Sequence, residues 1–360
     1  MAELEALHAR IHAACEGRPQ LRLMEVCGSH TMAIFRAGLR AMIPPNLELL
    51  SGPGCPVCVT AQGYIDSAIA LALRGVEICT YGDMLRVPGE DGSLALARAR
   101  GAKVRVVYSA RDALLLAKDH PESEFVFLAV GFETTTPGTA LAIREAAQLG
   151  LRNLRFLIAH KLVIPAMCAL LADGSARIDG FICPGHVSVI IGLEAYRPVV
   201  AHGAPCVVAG FEAASMLEAI ALLCESVASN TRCLQSAYGK MISAHGNAMA
   251  KQVTDDVFEV SSCTWRALGK MEQSGLSLRE QYHHFDAARH YGVDLDKDAE
   301  IQGCRCGEVI QGKVEPTQCP LFAKRCTPSS PIGPCMVSSE GTCAAWFKYA
   351  DRRESREDRR

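Results

Sequence analysis

The sequence predicts an α/β protein with two consecutive parallel-sheet α/β domains and a third, mainly helical and loop-rich domain. Along residues 21–209, short apolar runs of strand length alternate with helical segments. Such alternation is typical of parallel sheets whose strands are joined by right-handed crossovers. Beyond residue 235 the alternation ends, and a tract rich in cysteine, proline and glycine follows. The change of pattern indicates a separate C-terminal domain.

The first α/β domain is expected over residues 18–118. Its apolar runs have the length and composition of buried strands and lie at residues 21–26, 47–51, 76–80 and 104–108. Between them, helical segments are expected near residues 30–42, 61–74 and 92–101.

The second α/β domain is expected over residues 119–234, after a polar junction near residues 117–123. It repeats the pattern of the first domain, with helices between its strands. The predicted strands lie at residues 125–130, 154–159, 178–183 and 205–209.

The third domain is expected to combine residues 1–17, which contain an N-terminal helix over residues 2–16, with residues 235–350. Polar helices are expected at the start of the C-terminal part, ahead of the cysteine tract. Residues 351–360 are mostly charged, and we expect them to form a disordered tail.

Composition excludes several classes of protein. The formal net charge of −2 is unlike the basic footprint of a nucleic-acid-binding protein. No apolar run approaches the ~18 residues needed to cross a membrane. The first residues lack a basic segment followed by an apolar run, so we expect no secretory signal and a cytoplasmic location. Because cytoplasmic thiols stay reduced, grouped cysteines there indicate metal binding rather than disulfides.

The first motif follows the first predicted strand. Cys27 stands at the expected N-terminus of a helix, where a thiol has a lowered pKa and is more often the thiolate that binds soft metals. His30 lies three residues further on and can act as a ligand, a base or a hydrogen-bond donor. We expect both side chains to belong to one functional pocket.

The second motif, GPGCPVC at residues 52–58, follows the second predicted strand. Its glycines permit a tight turn, and Pro56 stiffens the chain between Cys55 and Cys58. Two cysteines in this spacing can cycle between dithiol and disulfide or supply two metal thiolates. A structural zinc needs a second close pair of ligands, which this stretch does not offer. The motif therefore favours redox or iron chemistry.

Strand ends of the second predicted domain carry further candidates. Glu133 precedes three threonines at a helix N-terminus, where the helix dipole favours a carboxylate. Glu212 has a similar setting, and we interpret it as a capping residue. His186 and the pair His160 and Lys161 follow other strands of the same domain. Because ligands bind at the carboxyl ends of parallel strands, we expect these side chains to share one rim.

The C-terminal tract contains six cysteines among prolines and glycines. A loop-rich segment buries too little apolar surface to hold itself together, so disulfides, zinc or an iron–sulfur cluster must stabilise it. Cys304, Cys319, Cys326 and Cys343 are separated by fourteen, six and sixteen residues. These intervals differ from the close pairs of zinc ribbons and suit a [4Fe–4S] cluster. Cys306 and Cys335 remain as alternates or spectators.

Taken together, the motifs resemble the HypD family of hydrogenase maturation factors over almost the whole chain. The matching segments are CGSHT (27–31), GPGCPVC (52–58), GFETTTP (131–137), PGHVS (184–188) and the four widely spaced cysteines. The resemblance implies a scaffold on which the Fe(CN)2CO group of [NiFe] hydrogenases is assembled. It also implies a [4Fe–4S] cluster in the third domain. HypC, which helps to hold the iron, and HypE, which delivers cyanide, are the implied partners of a monomer within a complex.

The same resemblance assigns roles to individual residues. Cys27 corresponds to the iron-binding thiol, with His30 beside it. Cys55 and Cys58 correspond to the redox-active or iron-proximal pair. Glu133 and His186 are expected to line the central cleft. The implied cluster ligands are Cys304, Cys319, Cys326 and Cys343.

Two other functions stay open at this point. One is a stand-alone iron–sulfur or thiol–disulfide oxidoreductase that acts on a small molecule through Cys55 and Cys58. The other is a nucleotide-binding α/β protein, although neither a GxGxxG nor a P-loop sequence occurs. For the scaffold, we expect Cys27, His30, Cys55, Cys58 and Glu133 on the facing walls of one cleft.

Overall fold

The structure is a computed structural model that describes residues 2–297, 299 and 301–349. The predicted disordered tail, residues 351–360, lies outside the described residues. The strands are β1 (Leu21–Glu25), β2 (Leu47–Ser51), β3 (Glu77–Thr80), β4 (Val104–Val106), β5 (Phe125–Gly131), β6 (Leu154–His160), β7 (Gly180–Pro184), β8 (Cys206–Ala209), β9 (Leu234–Ser236), β10 (Phe258–Trp265) and β11 (Gly269–Leu278).

The helices alternate with these strands up to β9 and become short in the C-terminal tract. They are α1 (Ala2–Cys15), α2 (Gly28–Arg36), α3 (Pro56–Val59), α4 (Gln62–Leu73), α5 (Leu94–Ala99), α6 (Ala110–Asp119), α7 (Thr136–Gln148), α8 (Val163–Asp173), α9 (Gly185–Ile191), α10 (Arg197–Ala201), α11 (Ala213–Ala228), α12 (Ala248–Val257), α13 (Ala287–Tyr291), α14 (Cys306–Ile310) and α15 (Thr342–Tyr349). None of the helices in the described part of the chain is long and apolar enough to span a bilayer.

Two parallel sheets confirm the α/β class and all eight predicted strands. One sheet has five strands in the order β2-β1-β7-β8-β9, and the other has four in the order β4-β3-β5-β6. Every pairing within these sheets is parallel. Most strand residues are buried, because helices cover both faces of each sheet.

The prediction that the strands form two consecutive sets is wrong. After β2 the chain leaves the first sheet, builds the whole four-stranded sheet from β3 to β6, and returns to the first sheet with β7. Strand β1 therefore has β2 on one side and β7 on the other, with Leu23 opposite Gly180. A buried strand needs partners on both edges, but its own sequence does not specify which strand supplies the second one. The sheets consequently do not coincide with the predicted domains 18–118 and 119–234.

The N-terminal helix also differs from expectation. Helix α1 packs against α11 and the five-stranded sheet, with Leu7 and Ile11 in the same apolar core as Leu217. An ion pair from Arg10 to Glu225, 2.7 Å long, joins the two helices at the surface. The helix was expected in the third domain and belongs structurally to the first sheet.

The region after β9 contains the polar helices α12 and α13, as expected, and between them a hairpin that was not predicted. Strands β10 and β11 pair antiparallel, with an irregularity between Ser261 and Cys263. Several residues of each strand are exposed, which explains the polar composition, whereas Trp265 is fully buried. The hairpin lies on the end of β6, where the Leu162 amide donates to the Ser274 carbonyl oxygen at 2.9 Å.

The cysteine tract is loop-rich, as predicted, and is anchored at its C-terminal end by α15. That helix packs on α2, where the rings of Phe35 and Trp346 meet edge to face with centroids 5.6 Å apart. The tract therefore contacts the helix that begins immediately after Cys27.

Candidate functional site

A cavity of about 420 Å³ lies where the carboxyl ends of both parallel sheets meet. Cys27 lines it from the turn after β1, and His186 lines it from the first turn of α9, directly after β7 of the same five-stranded sheet. Thr134 and Thr135 line it from the loop after β5 of the four-stranded sheet, and Glu340 closes it from the cysteine tract. The site thus forms at strand ends, where ligands bind in parallel α/β folds.

Cys27 is the partly exposed residue that caps the start of α2. Its backbone amide donates to Oε2 of Glu25 at 3.0 Å, and the hydroxyl of Thr31 donates to the other oxygen of the same carboxyl. Glu25 is buried, and burial raises its pKa to about 7. A buried acid therefore holds the turn in which Cys27 lies.

The predicted lowering of the Cys27 pKa is wrong. Burial raises the pKa of this thiol to about 12; the backbone hydrogen bond from His30 lowers it, and the nearby carboxylates of Glu340 and Glu25 raise it. Burial and the two carboxyl groups raise the pKa of Cys27 by more than the helix N-terminus lowers it. Cys27 is therefore expected to be a protonated thiol near neutral pH.

His30 forms part of the floor beneath the cavity and does not line it. Its Nε2 atom lies 3.2 Å from the carbonyl oxygen of Ala209, and burial lowers the pKa of the ring to about 4. The ring packs on Phe211, with centroids 4.9 Å apart, and His186 packs on the same ring at 4.1 Å. His186, unlike His30, reaches the cavity as predicted.

Cys55 and Cys58 lie behind the wall of the cavity, with 5% and 2% of their surfaces exposed. Their neighbours Pro56 and Val57 line the cavity instead. Cys55 caps the start of α3 and its Sγ accepts from the Cys58 amide at 3.3 Å. The sulfur atoms of this turn are buried because the cysteine tract packs against it.

The Cys58 sulfur lies against the cysteine tract. The Cys58 Sγ lies 4.0 Å from the carbonyl oxygen of Pro334, and its thiol is next to the thiols of Cys55 and Cys335. Burial raises the pKa of Cys58. The CxxC motif therefore connects the wall of the cavity with the cysteine tract.

Glu133 is buried behind the threonines that line the cavity. Its Oε1 accepts from the amide of Val163 at 2.9 Å, and burial raises the pKa of the carboxyl to about 7. The turn depends on Gly131, because a Cβ there would lie 1.8 Å from Oγ1 of Thr135. Glu133 supports the wall, and Thr134 and Thr135 form its surface.

His160 and Lys161 do not join this rim. Both are buried beneath the β10–β11 hairpin, where the Lys161 Nζ donates to the carbonyl oxygen of Thr264 at 2.8 Å and lies 5.1 Å from the ring centre of Trp265. Their role is to hold the hairpin on the four-stranded sheet.

The six C-terminal cysteines line one small cavity. The chain approaches the sulfurs closely at Gly333, where a Cβ would lie 2.7 Å from the Cys304 Sγ. The amide of Cys343 donates to the Cys335 Sγ at 3.4 Å. The residues that line this cavity are Cys304, Cys306, Cys319, Phe322, Cys326, Gly333, Cys335, Met336 and Cys343.

The donors in this cavity fit an iron–sulfur cluster in type. Thiols are its only titratable groups, and Phe322 and Met336 complete an apolar lining. Soft thiolates in an enclosed apolar site are the donors that such clusters use. Within residues 2–297, 299 and 301–349, however, no group of three or more His, Cys, Asp or Glu side chains has the arrangement of a metal-binding group. The choice of four ligands among the six cysteines stays a prediction.

Two acidic residues of the Cys27 site were missed by sequence reasoning. Glu25 had a signal, because it is a charged residue inside the apolar run LRLMEV. Glu340 had none, since it lies far along the chain and reaches the site only through the folding of the cysteine tract.

Comparison with known proteins identifies the family of the chain. Residues 2–350 match the family model for HypD, described as the hydrogenase formation hypA family. The chain is 45% identical to the hydrogenase maturation factor HypD of Azotobacter vinelandii, over 98% of this chain and 96% of the relative. It is 43% identical to HypD of Rhodobacter capsulatus, over 98% and 95%. It is 42% identical to HypD of Escherichia coli, over 97% and 95%. The chain therefore belongs to the HypD family of hydrogenase maturation factors.

Proposed function

We propose that this protein is an iron-binding scaffold in [NiFe] hydrogenase maturation, on which the Fe(CN)2CO group is assembled with HypC and HypE. The observation that carries the proposal is the position of Cys27, whose side chain lines a cavity at the junction of two parallel sheets. Behind that cavity, Cys58 adjoins the cysteine tract. Family membership supplies the biological context.

In this proposal iron is the cargo, and Cys27 is the thiolate that holds it. Iron that carries cyanide and carbon monoxide favours soft ligands, and Cys27 is the cysteine that lines the cavity. The carboxylates of Glu25 and Glu340 place negative charge beside the thiol, which attracts a cation. A second protein completes the coordination, and HypC is the candidate from the family.

Electron supply is the proposed role of the other cysteines. Cys304, Cys319, Cys326 and Cys343 would hold a [4Fe–4S] cluster, which supplies single electrons when bound. Cys335 lies next to both Cys58 and Cys343, so the CxxC pair and the cluster cavity are in contact. Cys55 and Cys58 would then accept electrons from the cysteine tract on one side. On the other side they would pass these electrons to iron in the cavity that contains Cys27, which we call the iron cavity.

The test is infrared spectroscopy of the protein purified anaerobically with HypC and HypE. We expect bands of both cyanide and carbon monoxide on the complex. Their absence, together with turnover of a small disulfide substrate by the protein alone, would favour the stand-alone oxidoreductase. The buried sulfurs of Cys55 and Cys58 argue against that alternative, since a substrate in the cavity does not reach them.

A further inference from the structure

A short segment of the cysteine tract, residues 337–340, contacts both the five-stranded and the four-stranded sheet side of the iron cavity. On the four-stranded sheet side, the Ser338 hydroxyl donates to Oδ2 of Asp83 at 2.8 Å, and the Arg86 guanidinium donates to the Val337 carbonyl oxygen at 3.1 Å. On the five-stranded sheet side, the Ser29 hydroxyl donates to Oε1 of Glu340 at 2.6 Å. We call residues 337–340 the bridging segment.

The contact with the start of α2 is closely packed. A Cβ at Gly28 would lie 2.3 Å from the backbone oxygen and 2.5 Å from the Cβ of Glu340. Real Cβ atoms do not approach backbone oxygens so closely, so this packing requires glycine at position 28. The Glu340 backbone therefore rests directly on the residue that follows Cys27.

The bridging segment is also continuous with the cysteine cavity. It begins shortly after Cys335 and ends shortly before Cys343, and both of these residues line that cavity. At its far end, Glu340 lines the iron cavity together with Cys27. A few residues therefore link the cysteine tract to the turn that contains Cys27.

We propose that Glu340 is a positioning residue for Cys27, through which the cysteine tract holds the iron-binding turn in place. The functional part of this inference rests on the proposed role of Cys27 in iron binding. The geometric part, that the Glu340–Ser29 contact restrains residues 27–31, is independent of that role.

The experiment compares four variants by amide hydrogen exchange of the peptide that covers residues 27–31. Glu340→Ala removes the acceptor for Ser29, whereas Glu340→Gln keeps an oxygen acceptor and removes only the charge. Gly28→Ala keeps every side-chain partner but forces the bridging segment away. Ser339→Ala, at an exposed neighbouring position, is the matched control. Exchange of helix α11 serves as the reference for global stability.

We expect Glu340→Ala, which loses one hydrogen bond, to speed exchange of residues 27–31 about ten-fold. Gly28→Ala, which displaces the bridging segment, should speed it by a similar factor. Glu340→Gln should stay close to the wild type, and Ser339→Ala should match it. With HypC and HypE, Glu340→Ala should lose most of the cyanide and carbon monoxide bands, and Glu340→Gln should retain them.

Unchanged exchange in Glu340→Ala would overturn the inference, whatever the infrared result. Equal acceleration in α11 would overturn it as well, because the variant would then loosen the whole protein. If the wild-type complex shows neither band, the proposed function fails, and the exchange measurement still decides whether Glu340 positions Cys27.

Discussion

The Cys58 thiol lies next to the Cys335 thiol, although the two residues come from opposite ends of the chain. The Cys58 Sγ is 4.0 Å from the carbonyl oxygen of Pro334, so the CxxC motif packs directly on the cysteine tract. This contact places a dithiol between a cavity that contains Cys27 and a cavity lined by six cysteines. In the proposed function, this order would place the dithiol on the route by which electrons reach a metal at Cys27.

Cys27→Ala should abolish the retention of iron with cyanide and carbon monoxide, because it removes the thiol in the cavity. The fold and the brown colour of the cysteine tract should survive, since that tract has its own cavity. Infrared and visible spectra of the anaerobic complex check both outcomes. If the diatomic bands persist in this variant, the iron is bound elsewhere, and Cys55 or Cys58 becomes the candidate.

Cys319→Ala should bleach the anaerobic protein, because it removes one proposed ligand of the [4Fe–4S] cluster. The wild type should hold about four irons and four sulfides at this site, by the stoichiometry of a cubane cluster. Metal and sulfide analysis measures this directly, with Cys168→Ala, at a cysteine of helix α8, as the control. Zinc without sulfide in the wild type would exclude the cluster.

Cys55 and Cys58 should react more slowly with a bulky maleimide in the reduced native protein than in the same protein unfolded in urea. Both are almost fully buried in the native protein. Peptide mass spectrometry after a short exposure should find each of them labelled about ten-fold less in the native protein, as expected when labelling needs local opening. Equal labelling in the two states would mean that the cysteine tract does not cover the CxxC motif.

Gly54→Ala should destabilise the protein by about 1–3 kcal/mol, the usual cost of overpacking a dense interior. A Cβ at this position would lie 2.3 Å from the backbone nitrogen of Cys27, so the GPGCPVC turn would be pushed off the Cys27 turn. Gly138→Ala is the matched control, because a Cβ there meets nothing within 4 Å. Urea unfolding compares the two, and equal stability would contradict the packing of these turns.

Glu133→Gln should remove a pH dependence of stability. Burial raises the pKa of this carboxyl from 4.5 to about 7, so the folded protein binds more protons than the unfolded chain between these values. The wild type therefore loses stability as the pH rises through this window. Relative to Glu133→Gln, the loss between about pH 5 and about pH 8 should be about 2 kcal/mol. Urea unfolding of both proteins at each pH measures this difference. If their free energies of unfolding differ by the same amount at every pH, the raised pKa of Glu133 is wrong.

Several features were predictable from sequence because they are local. All eight predicted strands are present, since an apolar run of strand length between turn residues specifies its own conformation. The motif at Cys27 also lies where the strand–turn–helix pattern indicated, at the start of α2. The hairpin β10–β11 was missed because several of its residues are exposed and their alternation is weak.

The sequence by itself determined the α/β class, the strand positions, the HypD-like motifs and the grouping of cysteines. Only the tertiary structure decided that β7 pairs with β1, that Cys58 adjoins Cys335, and that Glu340 reaches Ser29. It also raised the pKa of Cys27, where burial and two carboxylates overcame the effect expected of a helix N-terminus. The physical reason is the same in each case. Strand conformation depends on neighbours along the chain, whereas pairing, burial and charge depend on residues that only folding brings together.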